Sequence, residues 1–345
     1  MLMRNSGGET ARALQDHLIT YLMREFHQNI EDPAVLNDSD HAIKKAFLDL
    51  DRHILDRAAE AIKGPTFLAD ALADTVTAYA GSCALVSYYN ERSKVLKVAC
   101  AGDSRAVLGR RSKAGQWEAT ALSADQTGYN KEEVTKLQAE HPDEPDMIKG
   151  GRLLGMAVTR AFGDARWKWS KELQEKARDR FFGPALREPL LTPPYMTAEP
   201  VITTTPIQPA KGDFVIMASD GLWDRLTSEQ AVDLVGRWIA THDTSKAASA
   251  QDLGKTPPPE EPYRKRTNPK GHMAFTNAAL VNSKNFIVID DNAATHLARN
   301  ALGGADEDML RGMFTVEPPH SRKLRDDISI QVIFFGEDPN AIQNL

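Results

Sequence analysis

Leu14, Leu18, Leu22 and Phe26 fall four residues apart. That spacing puts them on one side of a helix and predicts an amphipathic helix over 9–28. Ile43, Phe47, Leu50 and Ile54 repeat the pattern, predicting a second helix over 39–62 that stops at Lys63-Gly64-Pro65. From residue 83 the period changes. Short runs rich in Val, Leu and Tyr at 83–89, 95–101 and 106–110, parted by polar turns at 90–94 and 102–105, predict strands, with another at 117–122. Connections this short predict antiparallel pairing, because a parallel crossover needs about a dozen residues or more.

A helix follows over 131–140, ended by His141-Pro142, and a strand over 213–219. Thr227, with Gln230 three residues on, makes a capping box for a helix running to about Thr241. Asn292 and Gly303 cap a helix over 292–302, and 328–335 reads as a closing strand. Two stretches break the rhythm. Residues 166–198 carry an aromatic, basic helix followed by Pro184, Pro189, Pro193 and Pro194, read as a flap insertion over one rim of the domain. Residues 243–272 hold Pro257-Pro258-Pro259 and Arg264-Lys265-Arg266 with little apolar content, which predicts a mobile insert. Antiparallel strands with helices segregated around them predict an α+β fold, two packed antiparallel sheets flanked by helices as an α-β-β-α sandwich.

Composition narrows the function classes. The 345 residues are 41% hydrophobic and 26% charged, enough for one large domain over 1–345. A net charge of −6 argues against nucleic acid as the main partner. No run approaches the ~18 apolar residues of a membrane span. The two cysteines, Cys83 and Cys100, sit in apolar runs and read as a buried, reduced pair.

The chemistry lies in aspartates at strand ends. Asp220 follows an apolar strand, Gly221 permits a turn, and Asp224 returns toward the same point four residues on. Alone, this hexapeptide serves equally as an Asp-Gly turn before a capped helix. Asp326 and Asp327 precede the closing strand, Asp103 sits in a turn between two strands, Asp125 follows another strand, and Asp164 follows an apolar run. Each alone suits a solvated or hydrogen-bonded turn. Together they predict a carboxylate-lined cleft for a hard divalent cation, which takes oxygen ligands.

In chain order, AGSCALV (80–86), VACAGDSRAVL (98–108), LSADQ (122–126), RLLGMAVTRAFGD (152–164), VIMASDGLWD (215–224) and RDDISI (325–330) resemble the protein phosphatase 2C family over 6–336. FGDARWKWSKELQ (162–174), PPYMTAEPVIT (193–203) and NAATHLARNALGG (292–304) are most similar to the pyruvate dehydrogenase phosphatase branch and its fungal mitochondrial relatives. The resemblance implies a metal-dependent protein serine/threonine phosphatase, hydrolysing phosphoserine and phosphothreonine with water activated by two Mg2+ or Mn2+ ions and room for a third. It implies Asp220 and Asp326 as core metal ligands, Asp125 and Asp224 as ligands of the looser third site, Asp327 as a neighbour behind them, and Asp103 and Asp164 as structural. It implies a phosphoprotein substrate, with the pyruvate dehydrogenase complex as the branch's choice, and the mitochondrial matrix, or otherwise the cytoplasm.

The family's Asp-Gly-His-x-Gly motif, which supplies a bridging carboxylate and a general-acid His, should stand just before the first helix. Met3, Arg4 and Asn5 occupy those places. Asn5 takes the general-acid position, so no catalytic side chain is assigned. The expectation is a domain lacking its first strands and truncated at the N-terminus. The alternative is a pseudophosphatase, catalytically impaired and acting as a binding or regulatory protein.

Overall fold

The structure is a computed structural model describing residues 2–4, 8–31, 39–186, 190–242, 281, 283–317 and 320–336. Asn5 and the expected insert at 243–272 lie outside the described residues.

The chain opens with a short strand, β1 (Leu2–Arg4), then helices α1 (Glu9–Glu31), α2 (Ser39–Lys63) and α3 (Leu68–Tyr79). Strands β2 (Gly81–Asn90), β3 (Val95–Ala101), β4 (Arg105–Arg111) and β5 (Trp117–Ala121) follow, then helix α4 (Lys131–Glu140). Three two-residue strands come next, β6 (Ile148–Lys149), β7 (Arg152–Leu153) and β8 (Phe162–Gly163). After them run α5 (Lys171–Phe181), β9 (Val201–Pro206), β10 (Phe214–Ala218), the single turn α6 (Asp220–Trp223) and α7 (Ser228–His242). Helices α8 (Ala293–Ala301) and α9 (Glu307–Thr315) and strand β11 (Ile330–Phe334) close the described chain.

The strands form two large antiparallel sheets, and β6 and β7 pair as a separate two-stranded one. One of the large sheets has the order β1-β2-β3-β9, with β8 taking up the start of β2 where β3 has ended. The other has the order β11-β10-β4-β5. Alternation along each strand sorts the side chains into layers. Leu85, Val98 and Cys100 of the first sheet meet Leu108, Val215 and Met217 of the second between the sheets. On the outer face of the first sheet, Ala84, Ala99 and Ala101 are small, so Phe47, Leu50 and Ile54 of α2 and the Leu14-Leu18-Leu22 stripe of α1 close tightly onto it. On the outer face of the second, Val107, Phe214 and Ile216 pack under Val232 and Val235 of α7 and Leu297 of α8. The α-β-β-α sandwich expected from the sequence is present.

Several features differ from the sequence reading. Residues 2–4, for which the sequence predicts no strand, form one that pairs with β2, Met3 opposite Cys83. Helix α3 was not foreseen because its buried face is Ala71, Thr75 and Ala78, too small to register as an apolar stripe. Strand β9 lies beyond the expected flap, among residues for which the sequence predicts no strand. It is an edge strand, and no residue of it is fully buried.

The segment expected as a flap packs onto the domain in its described part. Helix α5 packs against α2 and α3. Trp169, Leu173, Ala177 and Phe181 join the core beneath α1 and α2. Trp167 packs with Leu153, Tyr195 and Met196 in a separate cluster. Aromatic burial draws the described part of this segment into the helix layer; Phe182 remains outside, 81% exposed.

A buried ion pair pins that layer to the site end of the first sheet. Lys168 Nζ lies 2.8 and 2.7 Å from the two oxygens of Asp51 in α2 and 2.7 Å from the carbonyl of Ala161. Asp51 Oδ1 also accepts the Gly163 N–H at 2.8 Å. Both side chains are nearly enclosed, at 5% and 9% exposed. Lys168→Met would strand a buried carboxylate and is expected to cost about 3–5 kcal/mol in urea unfolding. Adding Asp51→Asn should recover a large part of that loss. A single-variant cost below about 1 kcal/mol would show that the pair does not hold the layer.

Candidate metal centre

The acidic residues meet because of strand register. In the second sheet Ala218 pairs with Ile330 on one side and Arg105 on the other. The chain leaving β10 therefore emerges beside the chain entering β11 and the chain entering β4. Asp220 leaves, Asp326 enters, and Asp103 precedes Arg105, all at one end of the sheet.

Ser219 locks two of these segments together. Its N–H donates to the Ser329 carbonyl at 3.1 Å. Its Oγ donates to the Asp327 carbonyl at 2.9 Å and accepts the Ser329 N–H at 2.9 Å. Gly221 is required by the same approach, since a Cβ there would lie 2.5 Å from the Asp327 carbonyl oxygen. Asp224 sits one turn beyond Asp220, its N–H donating to the Asp220 carbonyl at 2.8 Å. Trp223 between them is buried, its Nε1 donating to the Ala218 carbonyl at 3.0 Å.

Gln126 ties in the Asp125 loop. Its Oε1 accepts the Gly102 N–H at 2.6 Å, its Nε2 donates to the Cys100 carbonyl at 2.9 Å, and its backbone N–H donates to the Gly102 carbonyl at 3.0 Å. These bonds fasten the loop after β5 to the Asp103 turn.

The electrostatics are those of like charges crowded together. Burial, reinforced by Asp103, Asp326 and Asp224, pushes the Asp220 carboxyl up to about 8. Burial also lifts Asp103 to about 6, with Asp125 and Asp224 adding to the rise and a hydrogen bond from Cys83 Sγ at 3.4 Å opposing it. Asp224 is raised by burial and then by Asp326, against the pull of Arg225 and Arg105. Asp220 Oδ1 is buried with no hydrogen-bond partner. Oxygen donors, an orphaned carboxylate oxygen and mutual repulsion all suit a hard divalent cation. The spacing does not close around one. Among the described residues no three acids, histidines or cysteines stand near enough to share an ion.

The sequence-predicted residues thus divide. Asp220, Asp224 and Asp326 are neighbours. Asp125 is within their field, but both its oxygens are taken by Arg105, at 3.0 Å from Nε and 2.5 Å from Nη2. Asp327 points outward, and its contribution is its backbone carbonyl. Asp103, read from the sequence as structural, belongs to the acidic group. Its place at a strand end had put it in the predicted cleft, and only the resemblance implied a structural role. Asp164 is fully buried and packed against Gly81, where a Cβ would lie 2.0 Å from its Oδ2. Cys83 and Cys100 are buried and not disulfide-bonded, and burial pushes both thiols well up. A separate groove of about 440 Å³ opens between the start of α2, α4 and β9, where Lys44 already pairs with Glu199 at 3.1 Å.

Comparison with known proteins agrees with this geometry. The chain is 41% identical over 343 residues to a protein phosphatase 2C homolog of Schizosaccharomyces pombe, covering 96% of this chain and 72% of that protein. It is 35% identical over 371 residues to the mitochondrial pyruvate dehydrogenase phosphatase 1 of Saccharomyces cerevisiae, covering 99% of this chain and 62% of that protein. It is 35% identical over 260 residues to the human mitochondrial pyruvate dehydrogenase phosphatase 2, covering 70% of this chain and 46% of that one. The Protein phosphatase 2C family profile matches residues 4–255. With that match spanning most of its length, the chain belongs to the protein phosphatase 2C family.

Proposed function

We propose that the protein is a metal-dependent serine/threonine phosphatase whose acidic end binds Mg2+ or Mn2+. Asp220 and Asp326 would hold the principal pair of cations, with Asp224 and then Asp125 serving a looser third. When bound, such cations supply charge neutralisation for the phosphoryl group and an activated water. The observation that carries the reading is Asp220. A carboxylate with a buried, unpartnered oxygen among like charges is costly unless a cation completes it. The proposed substrate is a phosphorylated subunit of the pyruvate dehydrogenase complex, in the mitochondrial matrix. Support for both comes from the names of the 35%-identical relatives.

A second reading has its own observation. Met3, Arg4 and Asn5 stand where the family's Asp-Gly-His would stand. The backbone at Met3 pairs with Cys83, whose thiol reaches Asp103, so Met3 borders the acidic end. A site without that bridging carboxylate would hold its cations loosely, as expected of a pseudophosphatase.

One experiment separates the two readings. Turnover of a phosphothreonine peptide is measured with millimolar Mn2+, for the chain itself and for the triple variant Met3→Asp/Arg4→Gly/Asn5→His. On the pseudophosphatase reading the chain itself is nearly inactive, whereas on the phosphatase reading it turns the peptide over unaltered. The triple variant is expected to gain about 100-fold or more, because ångström-scale positioning of reacting groups carries factors of that size. Asp220→Asn in the triple variant should abolish the gain. Robust turnover by the unaltered chain, lost on Asp220→Asn, would remove the pseudophosphatase reading.

The acidic end also predicts a pH signature without metal. Asp220 is pushed up to about 8 in the fold from 3.8, so the folded state holds a proton that the unfolded state releases. Stability should therefore fall as pH rises from about 4 to about 8. The side-chain amide that Asp220→Asn introduces is neutral throughout. In chelator, Asp220→Asn should melt within about 1 °C of wild type near pH 4 and about 3 °C or more above it at pH 8. Millimolar Mn2+ should then stabilise wild type more than the variant. A melting difference flat across that range would count against a repulsive cluster.

A further inference from the structure

Arg105 is the cation set directly into the acidic end, and its contacts are specific. It opens β4 opposite Ala218, two residues after Asp103. Its Nε and Nη2 grip the two oxygens of Asp125 at 3.0 and 2.5 Å. Its guanidinium lies over the Trp223 ring, 5.3 Å from the centroid. Asp125 is anchored from behind as well, its carbonyl accepting from Asn130 Nδ2 at 3.1 Å. The fork is thus fixed at both partners by groups outside the pair.

The pair is about a third exposed, 27% for Arg105 and 32% for Asp125. Ion pairs this open contribute only about 0–1 kcal/mol to stability. Its effect on the neighbouring carboxylates is larger in principle. Asp125 lies within the fields of Asp103 and Asp224. A guanidinium fork and a divalent cation both need the same carboxylate oxygens and the same charge.

We infer that Arg105 is a positioning residue that holds Asp125 away from the cation site, so that a divalent ion must compete with the guanidinium for that carboxylate. This rests on the acidic end being a cation site.

The test is Mn2+ affinity, by isothermal titration calorimetry on the full chain at constant pH, with folding checked by circular dichroism. The variants are Arg105→Met, Arg105→Lys, Asp125→Asn and the double variant Arg105→Met/Asp125→Asn. Arg105→Met is expected to tighten Kd about tenfold, or about 1.4 kcal/mol. Arg105→Lys, which keeps the charge and loses the fork, should tighten it about threefold. Asp125→Asn alone should weaken Kd, because it removes the carboxylate for which the ion and the guanidinium compete. In the Asp125→Asn background, Arg105→Met should have no further effect.

Equal tightening in both backgrounds would mean that Arg105 acts only through its field, and would overturn the inference. So would Mn2+ binding of one affinity in every variant, which leaves the cation-site reading intact. Absence of binding in every variant at millimolar Mn2+ would instead defeat that reading, and the inference with it. If Arg105→Met does not fold, the wild-type and Arg105→Lys affinities decide the question, equal values overturning it.

Discussion

Mutual repulsion among carboxylates is the constraint around which this end of the molecule is built. Asp103, Asp220, Asp224 and Asp326 lie within one another's fields, and burial first, then Asp103, Asp326 and Asp224, pushes Asp220 up to about 8. What holds them is strand pairing. Ala218 is bonded into β10 with a neighbour on each side, and Ser219 is bonded at both its backbone and its hydroxyl to the segment before β11. Hydrogen bonds that would be ordinary in a turn here resist a charge cluster, a small local cost carried by a large cooperative core.

That core is layered so that neither sheet can shift without moving the helices on its outer face. The small outward residues Ala84, Ala99 and Ala101 let α1 and α2 approach closely, and the Asp51–Lys168 pair reaches from α2 to the segment that follows β8. The first sheet therefore presents the start of β2 and the end of β3 in a fixed place. Cys83, from β2, reaches Asp103 in the turn after β3. Its thiol is a weak donor, and burial keeps it protonated, so it can serve as a donor to a carboxylate that has few others.

Much of this was legible in the sequence, for reasons that differ by element. The stripes on α1 and α2 were readable because their buried residues are large and four apart. α3 was not, because Ala71, Thr75 and Ala78 carry little hydrophobic signal. In the 166–198 segment prolines and aromatics together suggest a surface flap, and Trp167, Trp169 and Phe181 are buried in core clusters. In the cluster, Asp220 and Asp326 could be placed together because each borders an apolar strand. Asp103 falls under the same rule, and only its place in a family motif gave it a structural role.

The Arg105–Asp125 fork is a harder case, and register explains both why it forms and why it escaped notice. β4 and β5 pair with Val107 opposite Ala121. Carrying that register two places further sets Arg105 opposite Ser123, and Ser123 Oγ does accept the adjacent Ala106 N–H at 3.0 Å. Asp125 lies just beyond, within reach of a long, planar side chain. The sequence contains the strands but not the offset between them, and a shift of one residue would have turned Arg105 to the other face of the sheet. The same register that assembles the carboxylates therefore delivers a cation among them. Repulsion at this sheet end is partly answered from within the chain.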